Sequence, residues 1–176
     1  KTIAEASLMR NQSPEETIID LVIEDDSRIQ CVYYSMSEEN LRKKISLPWV
    51  SFCSDAGSYS DIKKDFRTHP RAFGSFIRVI GKFSRDEGVL TLEEAIRKLS
   101  GFPAKTLELD RRGTIENEKF ADIVVFDPEK AADLATFNEP LQFAKGVEMV
   151  IVNGEIVLKN GNHTGKFPGR FVKGIG

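Results

Sequence analysis

The alternation of apolar and polar residues divides the chain into a helical opening, an irregular middle and a β-rich end. Ile3–Arg10 reads as a short helix, and Asn11-Gln-Ser-Pro-Glu-Glu restarts one. Ser13 suits the N-cap, Pro14 the first helical position and Glu16 the third position of a capping box. With Ile18, Ile19, Leu21, Val22 and Ile23 behind them, a helix from about Pro14 to Glu24 is expected. Ile29–Met36 is β-branched and aromatic, which predicts a strand. Ser37-Glu-Glu-Asn caps a short helix running to about Ser46, which Pro48 stops. Trp49–Cys53 is then the next strand. This strand–helix–strand rhythm suggests parallel β/α units.

Residues 56–81 show no clear period, and a stretch of that length is either functional or disordered. Phe66, Phe73 and Phe76 argue for a packed loop, with one or two helical turns over Phe76–Arg85. Thr91–Ser100 is the most secure helix. Thr91 and Glu94 suggest a capping box, and Leu92, Ala95, Ile96 and Leu99 an apolar face. Gly101-Phe-Pro should break it before a second short helix, Ala104–Leu109. Four short strands follow at Gly113–Ile115, Ala121–Pro128, Val147–Val152 and Glu155–Leu158. Asn153-Gly154 should join the last two through a type I′ turn.

Composition narrows the field. The 176 residues are 40% hydrophobic and 30% charged, enough for one ordinary globular domain. A formal net charge of −2 gives no electrostatic case for nucleic acid or an anionic membrane as partner. No apolar run approaches the roughly 20 residues that span a bilayer, and no secretory signal is visible, so a cytoplasmic protein is expected. Cys31 and Cys53 lie in apolar runs and read as buried free thiols; no Cys-rich zinc motif is present. The two histidines, His69 and His163, belong to no His-x-His or His-Glu-x-x-His pattern. A catalytic zinc usually takes three protein ligands, and this chain carries no visible complete set.

The run Leu47-Pro-Trp-Val-Ser-Phe-Cys-Ser-Asp55-Ala-Gly57 carries the best candidate chemistry. A carboxylate at the C-terminal lip of a barrel strand is where β/α barrels place their reactive groups. Taken alone, Asp55 reads more readily as an ordinary turn residue after a strand than as a catalyst.

Several stretches resemble the amidohydrolase superfamily. Phe102-Pro-Ala-Lys-Thr-Leu-Glu-Leu, Gly113-Thr-Ile-Glu and Ala121-Asp-Ile-Val-Val-Phe-Asp look like its closing segment, where the chain leaves the barrel for a small β-sandwich. Ser37-Glu-Glu-Asn-Leu, the run Thr68–Gly81 with its His-Pro-Arg, and Asn162–Arg170 with its His-Thr-Gly resemble the D-aminoacylase group, the N-acyl-D-amino-acid deacylases. The resemblance implies an α/β fold: residues 1–109 as the last β/α units of a TIM barrel, with an active-site loop at 56–81. Residues 110–176 would contribute to the β-sandwich. It further implies that this is the C-terminal portion of a longer enzyme, whose metal ligands lie in the missing N-terminal part.

What the resemblance implies about chemistry rests on two residues. Asp55 matches the aspartate at the end of the eighth barrel strand, a general base beside zinc in the parent. There a zinc-bound water has its pKa lowered to about 7, and the carboxylate passes its proton to the leaving amine. Asp55 is a metal ligand only together with the missing N-terminal ligands. Arg71, of the His-Pro-Arg segment, would hold the α-carboxylate of an N-acyl-D-amino acid; the alternative is a surface arginine paired with Asp61 or Asp65. The link from Asp55 to Arg71 is longer and more polar than the group usually shows. His69 reads as a hydrogen-bonded loop anchor rather than a ligand, and His163 as part of a Gly-rich tail. Ser54 is a weak candidate for positioning the site. Without zinc or its complement, this chain is expected to be inactive and to self-associate through uncovered barrel edges. Rival readings are a non-catalytic assembly module and a cyclic amidase of the hydantoinase or dihydroorotase type.

Overall fold

The structure is a computed structural model and describes residues 1–26, 29, 31–57 and 68–173. Its contacts divide the chain into two compact units, residues 1–36 and 37–176.

The first unit is a helical hairpin. Helix α1 (Ile3–Arg10) opens with a reciprocal capping box between Thr2 and Glu5, and α2 (Pro14–Asp25) with one between Ser13 and Glu16. The second box is the one the spacing predicted. Asn11 turns the chain with φ 53°, a left-handed conformation that asparagine tolerates, and Arg10 is paired with Glu24 across the hairpin. The strand expected at Ile29–Met36 is not formed: Ile29 and residues 31–36 have no regular structure, and Gln30 lies outside the described residues.

The second unit holds everything proposed for the site. Helix α3 (Glu38–Ser46) is capped by Ser37 as expected. Trp49–Cys53, also expected as a strand, makes no ladder; a strand is defined by its hydrogen-bonded neighbours, and among the described residues none lies beside it. Its burial still alternates, with Phe52, Ser54 and Ala56 turned inward and Ser51, Cys53, Asp55 and Gly57 outward. Residues 58–67 lie outside the described residues, with Asp61, Asp65 and Phe66 among them.

The chain resumes in a helix longer than the pattern suggested. Helix α4 (Arg71–Arg78) continues into the π-helical stretch Val79–Asp86. Gly81 is needed there, because a Cβ would come within 2.3 Å of the Ala131 carbonyl oxygen. Helix α5 (Leu92–Ile96) passes through a second π-helical stretch, Arg97–Gly101, into α6 (Phe102–Thr106). Gly101-Phe-Pro therefore does not break the helix as expected. Pro103 is the second residue of α6, within this continuous helical path. Thr91 caps α5 by accepting from the Glu94 N–H, but Glu94 turns its carboxylate to Arg97, so the reciprocal half of the box is absent.

A four-stranded antiparallel sheet follows in the order β1 (Ile123–Phe126), β2 (Val147–Val152), β3 (Glu155–Lys159), β4 (Asn162–His163). Asn153 (φ 48°) and Gly154 (φ 83°) form the predicted hairpin turn. Gly113–Ile115 is a bend rather than a strand.

Two apolar clusters hold the unit together. Ile45, Val79, Phe83, Leu90 and Ala95 form one, with Leu41 and Phe52 against it. Ile77, Ile80 and Ala131 form the other, joining the helices to Phe126 and Val147 of the sheet. Both cysteines are free, as expected, but exposed rather than buried. No helix among the described residues is long and apolar enough to cross a membrane.

Candidate active site

Asp55 and Arg71 meet. Asp55 stands near the end of the alternating run with φ 49°, in the left-handed region that aspartate adopts more readily than most residues. Arg71 is the first residue of α4. An Arg71 guanidinium nitrogen lies 2.9 Å from a carboxylate oxygen of Asp55. The Asp55 side chain is 83% exposed and that of Arg71 44%, so the pair is open to solvent. Such exposed pairs add only about 0–1 kcal/mol to stability. The placement therefore matters more than the energy.

His69 fixes the start of this helix. Its Nδ1 accepts a hydrogen bond from the Arg71 backbone N–H at 3.0 Å, and its ring packs edge-on against Phe137 with centroids 5.0 Å apart. Burial, and then the Arg71 charge, hold the imidazole below its usual pKa. A neutral ring is the form whose Nδ1 can accept, so electrostatics and hydrogen bonding agree. This is the loop-anchor role read from the sequence. His163 makes a similar turn, accepting from the Gly165 N–H at 3.0 Å. Cys53 and Ser54 add little: the Asp55 N–H approaches the Cys53 sulfur at 3.4 Å, and Ser54 is half-buried.

The body of α4 is clamped to the chain that follows β1. Arg78 pairs with Asp133 at 2.8 Å, and a Cβ on Gly74 would touch the Asp133 side chain at 3.0 Å. Phe73 packs on Phe143, and Arg85 donates to the carbonyls of Pro128, Glu129 and Ala131. None of Asp133, Phe137 or Phe143 was singled out by sequence, because each acts only through a neighbour distant along the chain.

Among the described residues no three His, Cys, Asp or Glu side chains converge. Zinc wants three or four such ligands. The described residues therefore do not fit a metal ion by themselves; Asp55 is an exposed carboxylate that would need ligands from elsewhere beside it.

The amidohydrolase family matches residues 50–158. This chain belongs to the amidohydrolase family. It is 37% identical to a D-aminoacylase of Alcaligenes xylosoxydans xylosoxydans over 139 residues, 79% of this chain but 28% of that protein. Among solved structures, a D-aminoacylase crystal structure described as defining a novel subset of amidohydrolases superposes with a TM-score of 0.81 at 33% identity, over 97% of this chain and 34% of that one. An N-acyl-D-glutamate deacylase of Bordetella bronchiseptica, solved with zinc and a phosphonate mimic of the tetrahedral intermediate, gives 0.78 at 29% identity, over 92% of this chain and 32% of that one. The amidohydrolase chain thus spans about a third of the length of these relatives. The path of its backbone is that of the α/β amidohydrolase fold, although Ile29–Met36 and Trp49–Cys53 lack the ladders that make strands of them.

Proposed function

We propose that this chain is one portion, the C-terminal one, of a zinc-dependent enzyme that hydrolyses the amide of N-acyl-D-amino acids. Residues 1–109 would supply the last β/α units of its barrel and 110–176 part of the accessory sandwich; of the loop expected at 56–81, residues 71–81 are helical and 58–67 lie outside the described residues. Asp55 is the proton shuttle: it takes a proton from the attacking water and delivers it to the departing amine. Arg71 holds the substrate's α-carboxylate with its planar fork.

The pairing of Asp55 with Arg71 carries this reading. In an N-acyl amino acid the scissile nitrogen and the carboxylate hang on the same Cα, roughly 3 Å apart by ordinary bond lengths. A base that serves the nitrogen and a cation that holds the carboxylate must therefore be immediate neighbours, as these two are. The relatives named above support the substrate class and the zinc. The remaining zinc ligands belong to the N-terminal part, and no step of this chain's own chemistry is routed through the metal. Alone, the chain is inactive in this reading and self-associates; Leu8, Met9 and Ile23 are 82%, 70% and 70% exposed.

The test uses the chain joined to its N-terminal part and a panel of N-acyl-D-amino acids. Asp55→Ala should lower kcat by about 10²–10⁴-fold. Arg71→Ala should chiefly raise KM, and amide-capped substrates should gain nothing from the arginine. Undiminished turnover in Asp55→Ala would refute the assignment.

A further inference from the structure

Lys98 is the least expected side chain in the second unit: a lysine with no exposed surface. A buried ammonium persists only where its protons find acceptors, and here they are main-chain oxygens. It donates to the carbonyls of Ile45 and Leu47, the second at 2.6 Å, and sits 5.9 Å from the centre of the Phe52 ring. Its neighbour Arg97 donates to the Pro48 carbonyl at 2.7 Å. Ile45 and Leu47 stand at the C-terminal end of α3, where carbonyls lack partners within the helix and the helix dipole favours a cation. The Leu47 oxygen also accepts from the Val50 N–H, closing the turn that launches the run toward Asp55.

Among the described residues no ladder lies beside that run. Its launch point is fixed by two consecutive cations, and one of its inward side chains, Phe52, packs on the same cluster that holds Ile45 and Ala95. Arg71 reaches the site by another route, on a helix clamped through Arg78 and Asp133. The two groups of the site are thus supported by separate anchors.

We propose that Lys98, assisted by Arg97, is a positioning residue that fixes the Leu47–Asp55 run and so sets where the Asp55 carboxylate stands. The catalytic consequence rests on the role of Asp55 proposed above; the tether itself does not. Lys98→Met keeps the stem and removes the donors, Lys98→Arg keeps donors of altered geometry, and Arg97→Met removes the bond to Pro48 alone.

Trp49 is the only tryptophan of the chain and lies inside the tethered run, so its fluorescence reports the tether directly. In the full 176-residue chain, Lys98→Met should raise the amplitude of nanosecond motion in the time-resolved anisotropy of Trp49 on the order of twofold and shift the Asp55 backbone amide in 15N spectra. Lys98→Arg should restore part of both, and Asp133→Ala, which loosens the other anchor, should move neither. With the N-terminal part present, Lys98→Met should lower kcat about 10–100-fold with KM nearly unchanged, whereas Asp133→Ala should act on KM. If Lys98→Met does not fold, Arg97→Met must loosen Trp49 measurably. Unchanged Trp49 anisotropy and Asp55 shift in the folded variants would overturn the proposal. A loosened Trp49 together with full activity in Asp55→Ala would instead remove the role of Asp55 and leave the tether standing.

Discussion

Two extended regions of the same unit are built in opposite ways. The sheet β1–β4 satisfies its main chain within itself: each strand pairs with the next, and Asn153-Gly154 closes the central hairpin with two left-handed residues. The run Trp49–Gly57 alternates in burial as a strand does, but among the described residues its main chain finds no ladder, and the turn that launches it is held by a lysine and an arginine on another helix. A sheet whose bonds close locally keeps its shape wherever it is placed. A segment held by side chains from elsewhere takes its geometry from them. The carboxylate of the site stands on the second kind of support.

The comparison can be broken first through the shared core. Phe83 is 3% exposed in the cluster beneath the run, and Phe83→Ala should cost about 3–5 kcal/mol in denaturant unfolding. If the regions are supported separately, Trp49 fluorescence should respond before the amides of β2 and β3 lose hydrogen-exchange protection. Simultaneous loss would mean one cooperative unit, differing in geometry but not in local stability.

A smaller effect tests the sheet's self-sufficiency. The Asn153 side chain accepts from Arg112 and donates to the Pro168 carbonyl, both at 2.7 Å, and its backbone N–H donates to Asp122 at 2.8 Å. Asn153→Ala loses the side-chain bonds and forces alanine into positive φ, for about 1–3 kcal/mol. Asn153→Gly keeps the conformation and should cost less. Thermal unfolding of the two variants separates turn strain from hydrogen bonding, and neither should alter Trp49.

The smallest effect is at His69. Its folded pKa lies below the unfolded value of about 6.5, first through burial and then through Arg71. The unfolded chain therefore binds the proton more readily. His69's contribution is complete above about pH 6.5 and is lost as pH falls from there through its own midpoint. An NMR titration of the imidazole should give a midpoint under 6.5, and Arg71→Ala should raise it. A rise would confirm that Arg71 stands close to the ring as well as to Asp55.

Much of the fold was legible because its signals are local. A cap is decided within four residues, and Ser13, Ser37 and Thr91 cap as their spacing indicated. A type I′ turn is decided by two, and Asn153-Gly154 makes it. The misreadings share a physical cause. Ile29–Met36 and Trp49–Cys53 have strand-like side chains, yet a strand exists only with a partner. The sequence reads as irregular over 56–81, with helical turns only over Phe76–Arg85, because Gly74 and Gly81 interrupt the pattern of the helix that starts at Arg71. Both are close-approach positions against Asp133 and Ala131, so the interruption serves contacts invisible in a linear reading. The apolar spacing of α5 puts Ile96 on its inward face. Ile96 is 37% exposed, and Lys98, three residues beyond Ala95, is the buried one.

The sequence by itself determined the starts of α1, α2, α3 and α5, the hairpin turn and the amidohydrolase kinship, and it named the two residues proposed for the site. It could do so because capping, turn chemistry and short motifs depend on neighbours along the chain. Only the tertiary structure decided that Asp55 and Arg71 touch, that His69 anchors the helix between Phe137 and Arg71, and that a buried lysine holds the run leading to Asp55. Those facts depend on which distant carbonyls and rings lie within a few ångströms, and a lysine in a row of polar residues gives no sign that its charge is turned inward.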